Sequence, residues 1–314
     1  MSTQMKRPAT RARRKGVEYY LRRDWILYLM LFIPITYYIV FKYLPMYGVT
    51  IAFKDYNMFK GILESPWVGL KYYRRLFRQN EFYRVVRNTL VLNVLDLAFS
   101  FPAPIILAVM LSELRSRTFR KISQTILYLP YFISWVVIAA IALQLFSPDS
   151  GIINIIIRRL GGNSIPFLTE NTHWIVTYVM IGVWQSAGWG SIIFMAAIAG
   201  INAELYEAAM MDGAGRLRRI IHVTLPCIRS TIIMMLILKL GGILSISYEK
   251  PYLLGNTIVR QVSDVISTYV YRVGLEASNF SMATAVGLMQ SVIGMIMILT
   301  SNAIANRCDE GGIF

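Results

Sequence analysis

The chain has 314 residues, of which 56% are hydrophobic and 16% charged; its formal charge is +15 and its mean hydropathy +0.51. Soluble domains average about 25% charged residues, so this composition excludes an ordinary water-soluble enzyme and points to a membrane protein. The basic residues are concentrated in connections between apolar stretches. They signal topology, give no evidence for an acidic substrate and predict no nucleic-acid partner.

A hydrocarbon core takes about 20 apolar residues per helical span, and six such stretches follow one another. A basic segment, 1–24, carries eight Lys or Arg and is expected to stay in the cytoplasm. The spans are expected at about 25–44, 89–111, 122–146, 174–201, 226–246 and 283–305, and a short tail, 306–314, follows. The fourth has a softer middle, Trp184 to Gly190. Residues 25–305 thus form one all-α domain, a polytopic bundle of six transmembrane helices with a cytoplasmic helix-turn-helix. Helices satisfy every backbone group within their own segment, whereas a barrel would show many alternating segments of about ten residues. The first span is long, and no small-residue cleavage pattern follows it, so it is not read as a cleaved signal peptide.

With the N-terminus inside, the connections alternate. Loop 112–121, with Arg115, Arg117, Arg120 and Lys121, and segment 202–225, with Arg216, Arg218 and Arg219, fall inside. Loop 147–173 carries only Arg158 and Arg159 and falls outside, as does loop 247–282 with Lys250, Arg260 and Arg272. Loop 45–88 is also outside by this count despite eight basic residues; long loops obey the charge rule weakly. Within it, Leu70, Tyr73, Leu76 and Phe77 are spaced as on an amphipathic helix lying at the outer interface. Cys227 and Cys308 both fall toward the cytoplasm, where a structural disulfide is not expected, and neither they nor the isolated His173 and His222 have metal-site spacing.

No phosphate loop, G-x-S-x-G elbow or H-E-x-x-H motif occurs, and the connections are too short for a soluble catalytic domain. The chain is therefore not expected to be an enzyme or to hydrolyse ATP. Two classes remain: a transport subunit powered by a partner, or an ATPase-independent secondary transporter or channel. Internal repeats would favour the second class, and none is convincing.

The segment ELYEAAMMDGAGRLRRIIHVTLP, 204–226, separates the two classes. Asn202 can cap a helix starting at Ala203, with Glu204 in its first turn. Gly213 and Gly215 suit a helix end and sharp turn. A second helix carries the three arginines, and Pro226 suits the first turn of the fifth span. Such a two-helix knob, projecting between two spans, can transmit force from a soluble partner.

The spacing Glu207-Ala208-Ala209, three residues, Gly213, nine residues, Val223, one residue, Leu225-Pro226 resembles the coupling motif of ABC importer permeases. Asp212 and Ala214 complete the usual D-G-A; only Val223 departs, replacing isoleucine. The resemblance runs from about residue 25 to the end. It is closest to carbohydrate-uptake permeases of the type I, binding-protein-dependent kind, in the branch that takes oligosaccharides released from polysaccharides. NTLVLNVLDL (88–97), LYLPYFISWVV (127–137), STYVYRVGL (267–275) and SNFSMATAVGLMQSVI (278–293) are similar to that branch.

The resemblance implies a multi-pass subunit of a bacterial cell membrane with both termini in the cytoplasm. Its implied partners are a second permease, two ATPase subunits and an extracytoplasmic solute-binding lipoprotein, besides membrane lipid and a sugar. The resemblance further implies that the chain binds no cofactor and that ATP and Mg belong to the ATPase. Glu207, Ala208, Ala209, Asp212, Gly213, Ala214, Leu225 and Pro226 form the implied coupling site, with Glu207 the candidate for a salt link to the ATPase. Sugar sites combine aromatic faces with a few polar groups, which nominates Trp184, Gln185, Ser186 and Trp189, then Tyr248, Glu249, Asn279 and Gln290; packing between helices or a place at an interface would equally explain each.

Asp96 and Lys239 are ionisable residues well inside apolar spans, each about seven residues from the outer end of its span and so roughly 10 Å deep. Isolated charges there are costly. Either they pair across the bundle or line the pathway together, or Lys239 snorkels outward while Asp96 bonds locally.

Overall fold

The computed structural model describes residues 23–241 and 246–307. These residues form helices joined by turns; their extended pairing is limited to an isolated bridge between Lys54 and Trp67. The chain divides into two compact units at Thr50 and Ile51.

The first unit holds α1 (Trp25–Tyr38) and a π-turn, Ile39–Tyr43; the 3-10 segment that follows, Leu44–Phe53, runs across the division. The whole run, Trp25–Phe53, is apolar and 29 residues long, so the first span is longer than the expected 25–44.

The second unit contains α2 (Lys71–Leu76), α3 (Asn80–Ser100), α4 (Pro102–Ser112), α5 (Arg117–Tyr128), α6 (Trp135–Phe146), α7 (Ile152–Arg159) and α8 (Asn171–Ala199). They are followed by α9 (Ala203–Met211), α10 (Arg216–Arg219), α11 (Arg229–Gly241), α12 (Glu249–Leu254), α13 (Ile266–Tyr271) and α14 (Phe280–Arg307). The described residues hold four helices long and apolar enough to cross a membrane, or six if two bent pairs each count as one span.

The helices depart from several of the expected bounds. The second begins earlier, at Asn80, and runs through α3 and α4, with Pro102 opening α4 where its missing N–H costs nothing. The third is not one helix: the segments Arg117–Phe132 and Trp135–Phe146 meet at 101°. Its apolar run is continuous, but Pro130 cuts the ladder, Ile133 and Ser134 are extended, and the Ser134 hydroxyl caps the new helix by accepting from Val137 N–H at 3.5 Å. In the region of the fifth, the segments Arg216–Cys227 and Arg229–Leu240 meet at 61°, and the end of the expected span, 242–246, lies largely outside the described residues. Pro226 therefore belongs to the hairpin side of that bend rather than to the first turn of the span. The fourth span's soft middle causes no break; α8 is continuous over 29 residues.

Two apolar clusters hold the second unit. One gathers Trp174, Tyr178 and Ile181 of α8 with Leu92 of α3, Ile138 and Ala142 of α6, and Leu254 of α12. The buried Trp174 indole N–H donates to the Leu254 carbonyl at 2.8 Å, pinning α12 to α8. The other joins Tyr72 and Leu76 of α2 to Phe82 and Val85 of α3, Ile266 and Tyr269 of α13, and Met282, Ala285 and Val286 of α14. The helix forms: of the predicted residues Leu76 is buried and Tyr73 half-buried in this cluster, joined by Tyr72, while Leu70 and Phe77 are exposed. Beside it, Asp55 accepts from Lys71 and from the Tyr72 hydroxyl, and these bonds, that from Lys71 foremost, hold its carboxyl below the usual carboxylate range.

At Gly188 of α8, an added Cβ would collide with the Leu127 carbonyl of α5, a backbone atom that cannot step aside. Gly188→Ala is expected to destabilise the chain by about 2 kcal/mol through overpacking. Thermal unfolding in detergent measures this against Gly287→Ala, whose site on α14 is open; equal melting temperatures would show that α5 does not rest on Gly188.

Candidate functional site

The segment 202–227 is a helical hairpin. The Asn202 side chain accepts from Glu204 N–H at 3.1 Å, capping α9. At its other end Ala214 N–H bonds to the Ala209 carbonyl at 2.9 Å and Gly213 N–H to Met210 at 3.0 Å, the paired closure of a Schellman turn. Gly213 has φ +72°, a conformation costly for any other residue. Gly215 lies in the extended region at φ −67° and starts α10, so the turn depends on Gly213 alone. The helix after it continues as a π-turn, Ile220–Thr224, in which His222 Nδ1–H donates to the Arg218 carbonyl at 3.0 Å.

The two arms are tied by the Tyr206 and Thr224 hydroxyls, 3.0 Å apart, with Thr224 buried. Tyr206→Phe is expected to cost about 1 kcal/mol, read as faster backbone hydrogen exchange across 203–224; unchanged exchange would show that the hydroxyl pair does not hold the arms.

Glu207, Ala208, Asp212 and Gly213 are exposed, whereas Ala209, Ala214 and Leu225 are half-buried and Pro226 is exposed. Large apolar groups stand out among them: Leu205, Met210 and Leu217 are exposed, and Met211 is 88% exposed. A knob carrying carboxylates, arginines and uncovered methionines has the makeup of a docking surface.

The nominated sugar residues do not gather in one place. Trp189 stacks face to face on Tyr131 at 4.8 Å and 7°, with Phe132 edge-on at 5.3 Å, and Gln185 donates to the Tyr131 carbonyl at 3.4 Å. This polar and aromatic group sits at the break between α5 and α6. Trp184 lines apolar cavities on both sides, one with Leu95, Phe99 and Met180 and another with Leu127 and Pro130 beside the break. The Ser186 hydroxyl is used locally, donating to the Gly182 carbonyl at 2.8 Å. Tyr248 stacks on Tyr271 at 5.0 Å beside Tyr252, and Glu249 is exposed. Asn279 caps α14 by accepting from Met282 N–H at 3.1 Å, and Gln290 is half-buried on that helix.

Among the intramembrane charges, Lys239 Nζ lies 3.1 Å from Asp96 Oδ2, and Ser100 donates to Asp96 Oδ1 at 2.8 Å. Sequence reasoning missed the third member. Lys250, counted as a loop charge, is buried, with Nζ 3.8 Å from the centre of the Tyr178 ring and 5.6 Å from that of Trp135. Its partners lie far off in sequence, so no local pattern could have revealed it.

Among the described residues no cluster could hold a metal ion, and Cys227 is free and exposed; Cys308 lies outside them. His173 pairs with Glu170 at 2.8 Å.

Residues 100–309 match the family described as binding-protein-dependent transport system inner membrane component. The chain is 46% identical to Protein LplB of Bacillus subtilis (strain 168) over 302 residues, 96% of this chain and 95% of that one. It is 44% identical, over 96% and 94%, to the polygalacturonan/rhamnogalacturonan transport system permease protein YteP of the same organism. A chain of a bacterial ABC transporter involved in the import of the acidic polysaccharide alginate superposes with a TM-score of 0.86 at 39% identity, covering 93% of this chain and 98% of that one. A chain of a bacterial alginate ABC transporter in complex with alginate pentasaccharide-bound periplasmic protein gives a TM-score of 0.87 at 38% identity, covering 95% and 100%.

Proposed function

The chain belongs to the family of binding-protein-dependent transport system inner membrane components, and on that premise we propose that it is one of two permease subunits of an ATP-driven importer for oligosaccharides released from polysaccharides. The sugar class is supported by the names of its relatives, one a polygalacturonan/rhamnogalacturonan permease and another part of an alginate importer. The observation that carries the coupling mechanism is the hairpin: a capped, Schellman-closed knob with Glu207, Ala208 and Met211 uncovered.

In this reading the hairpin seats in a groove of a cytoplasmic ATPase. Glu207 faces a basic residue of that subunit, the small Ala208 and Ala209 permit close approach, and Asp212, Gly213 and Ala214 set the turn. ATP and Mg act in the partner, since this sequence has no phosphate loop. ATP binding draws two ATPases together and swings two such hairpins; each swing is passed through Leu225 and Pro226 to the bend before α11. The motor does this by binding one of two bundle arrangements better than the other. The outward-open arrangement receives sugar from a solute-binding lipoprotein, and hydrolysis resets the cycle. Both termini lie in the cytoplasm.

Non-helical backbone at membrane depth is tolerated where it is buried in protein or lines a wet cavity. The break at 129–134, with Tyr131, Gln185 and Trp189 beside it, therefore suits the sugar path: a flat aromatic face for a pyranose and the Gln185 amide for its hydroxyls.

Co-purification with the ATPase tests the docking. Wild type is expected to pull down stoichiometric ATPase, and Glu207→Ala to reduce the yield at least fivefold. Equal yields would remove Glu207 from the interface.

A further inference from the structure

We infer that Asp96, Lys239 and Lys250 form an anion-exchange site for the carboxylate of a uronic-acid sugar, with Asp96 standing in for that carboxylate when the path is empty. This rests on the importer reading and specifies its substrate class.

Three ionisable groups meet near the middle of α8. Asp96 comes from α3, Lys239 from α11 and Lys250 from α12. Asp96 Oδ2 holds Lys239 at 3.1 Å. Its Oδ1 accepts from Ser100 and faces Gly182, where the absent side chain makes room for Lys250 Nζ: an added Cβ would collide with that nitrogen and lie 3.6 Å from Asp96 Oδ1. Lys250 rests on the Tyr178 ring, and no carboxylate among the described residues lies within ion-pair distance of it.

The charges therefore do not cancel. Two ammonium groups share one carboxylate inside an apolar bundle, where an unmatched charge is expensive and marks an ion or substrate path. The matched pair is the accessible part: the side chains of Lys239 and Asp96 are 35% and 29% exposed, while Lys250 is buried beneath Tyr178 and Trp135. An incoming carboxylate can take Lys239, and Asp96 can turn to Lys250 across Gly182. Each ammonium then has one carboxylate. A neutral sugar offers no such exchange and leaves the excess charge in place.

The test uses the whole importer, with its partner subunits and binding protein, in proteoliposomes. ATP-driven uptake of a galacturonic acid trisaccharide is compared with uptake of its carboxyl-reduced analogue. The same binding protein serves every variant, so a change in the uronate-to-reduced ratio of kcat/KM belongs to this chain. Lys239→Gln is expected to lower that ratio at least tenfold. Asp96→Asn removes the competitor and is expected to raise it. A purely structural ion pair predicts that both variants depress the two substrates in parallel; that result, or an unchanged ratio, overturns the site. Uptake of a neutral oligosaccharide with none of the uronate also overturns it while leaving the importer reading intact. Failure of ATP to drive uptake of any sugar overturns both.

Discussion

Replacing Gly213 with proline is expected to reduce ATP-driven uptake at least tenfold while leaving the membrane bundle folded. Gly213 sits at φ +72°, and its N–H bonds to the Met210 carbonyl. Proline is fixed near −65° and has no N–H, so the turn loses both its conformation and its bond, at a cost of about 3 kcal/mol or more. The second arm then leaves α9 at a different angle, which would break the proposed force path from Glu207 to Pro226. The damage is local because the residues of the turn are exposed or half-buried and contribute nothing to either apolar cluster. Uptake and the melting temperature should therefore separate. Gly215→Ala is the matched control: its φ is −67° and the space around it is open, so little loss is expected. Parallel loss in both variants would show that the segment is a generic linker.

The largest stability effect is expected at Arg272. Its guanidinium donates to Asp264 Oδ2 at 2.7 Å and to Glu81 Oε1 at 2.9 Å, joining the α13 region to the start of α3. The Asp264 side chain is 5% exposed and also accepts from Thr268 at 2.8 Å, while Asn88 of α3 donates to the Asp264 carbonyl at 3.0 Å. Arg272→Met leaves this carboxylate buried with only the more distant Arg260, at 3.9 Å, to balance it. Loss of one partner of a buried pair costs about 3 kcal/mol. The measurement is thermal unfolding in detergent, with Arg272→Met/Asp264→Asn as the second arm. The double variant should recover at least half of the lost stability, because the uncompensated charge is gone. No recovery would mean that the arginine acts through packing alone.

The legible features were those encoded locally. Asn202 three residues before Leu205-Tyr206-Glu207, and Gly213 after Met210-Met211-Asp212, specify a cap and a helix end without help from the rest of the chain, and both occur where expected. The helical class follows equally directly, because apolar runs of this length leave the backbone no other way to satisfy itself.

The breaks were less visible. Hydropathy averages over a window and carries no direction, so Ile122 to Phe146 reads as one span although its axis turns through 101°. Pro130 and Ser134 were the available signals, a ladder break followed by a cap, but in lipid such residues are often absorbed within a helix. Spacing located the apolar face of α2 but not the surface that covers part of it. Leu70 and Phe77 stay exposed while Tyr72 and Leu76 enter the cluster with α14. Lys250 is the hardest case. A lysine followed by proline in a polar connection reads as a surface charge, and only tertiary structure brings it over Gly182 and against Tyr178.

In the proposed mechanism the work done on this chain comes from a motor docked at 202–227. The most direct measurement is uptake of labelled oligosaccharide into proteoliposomes containing this chain and its partner permease, with the solute-binding protein supplied. Uptake should require both the ATPase subunits and hydrolysable ATP, and Gly213→Pro should remove it. Uptake that continues without any ATPase, driven by an ion or substrate gradient, would contradict the account.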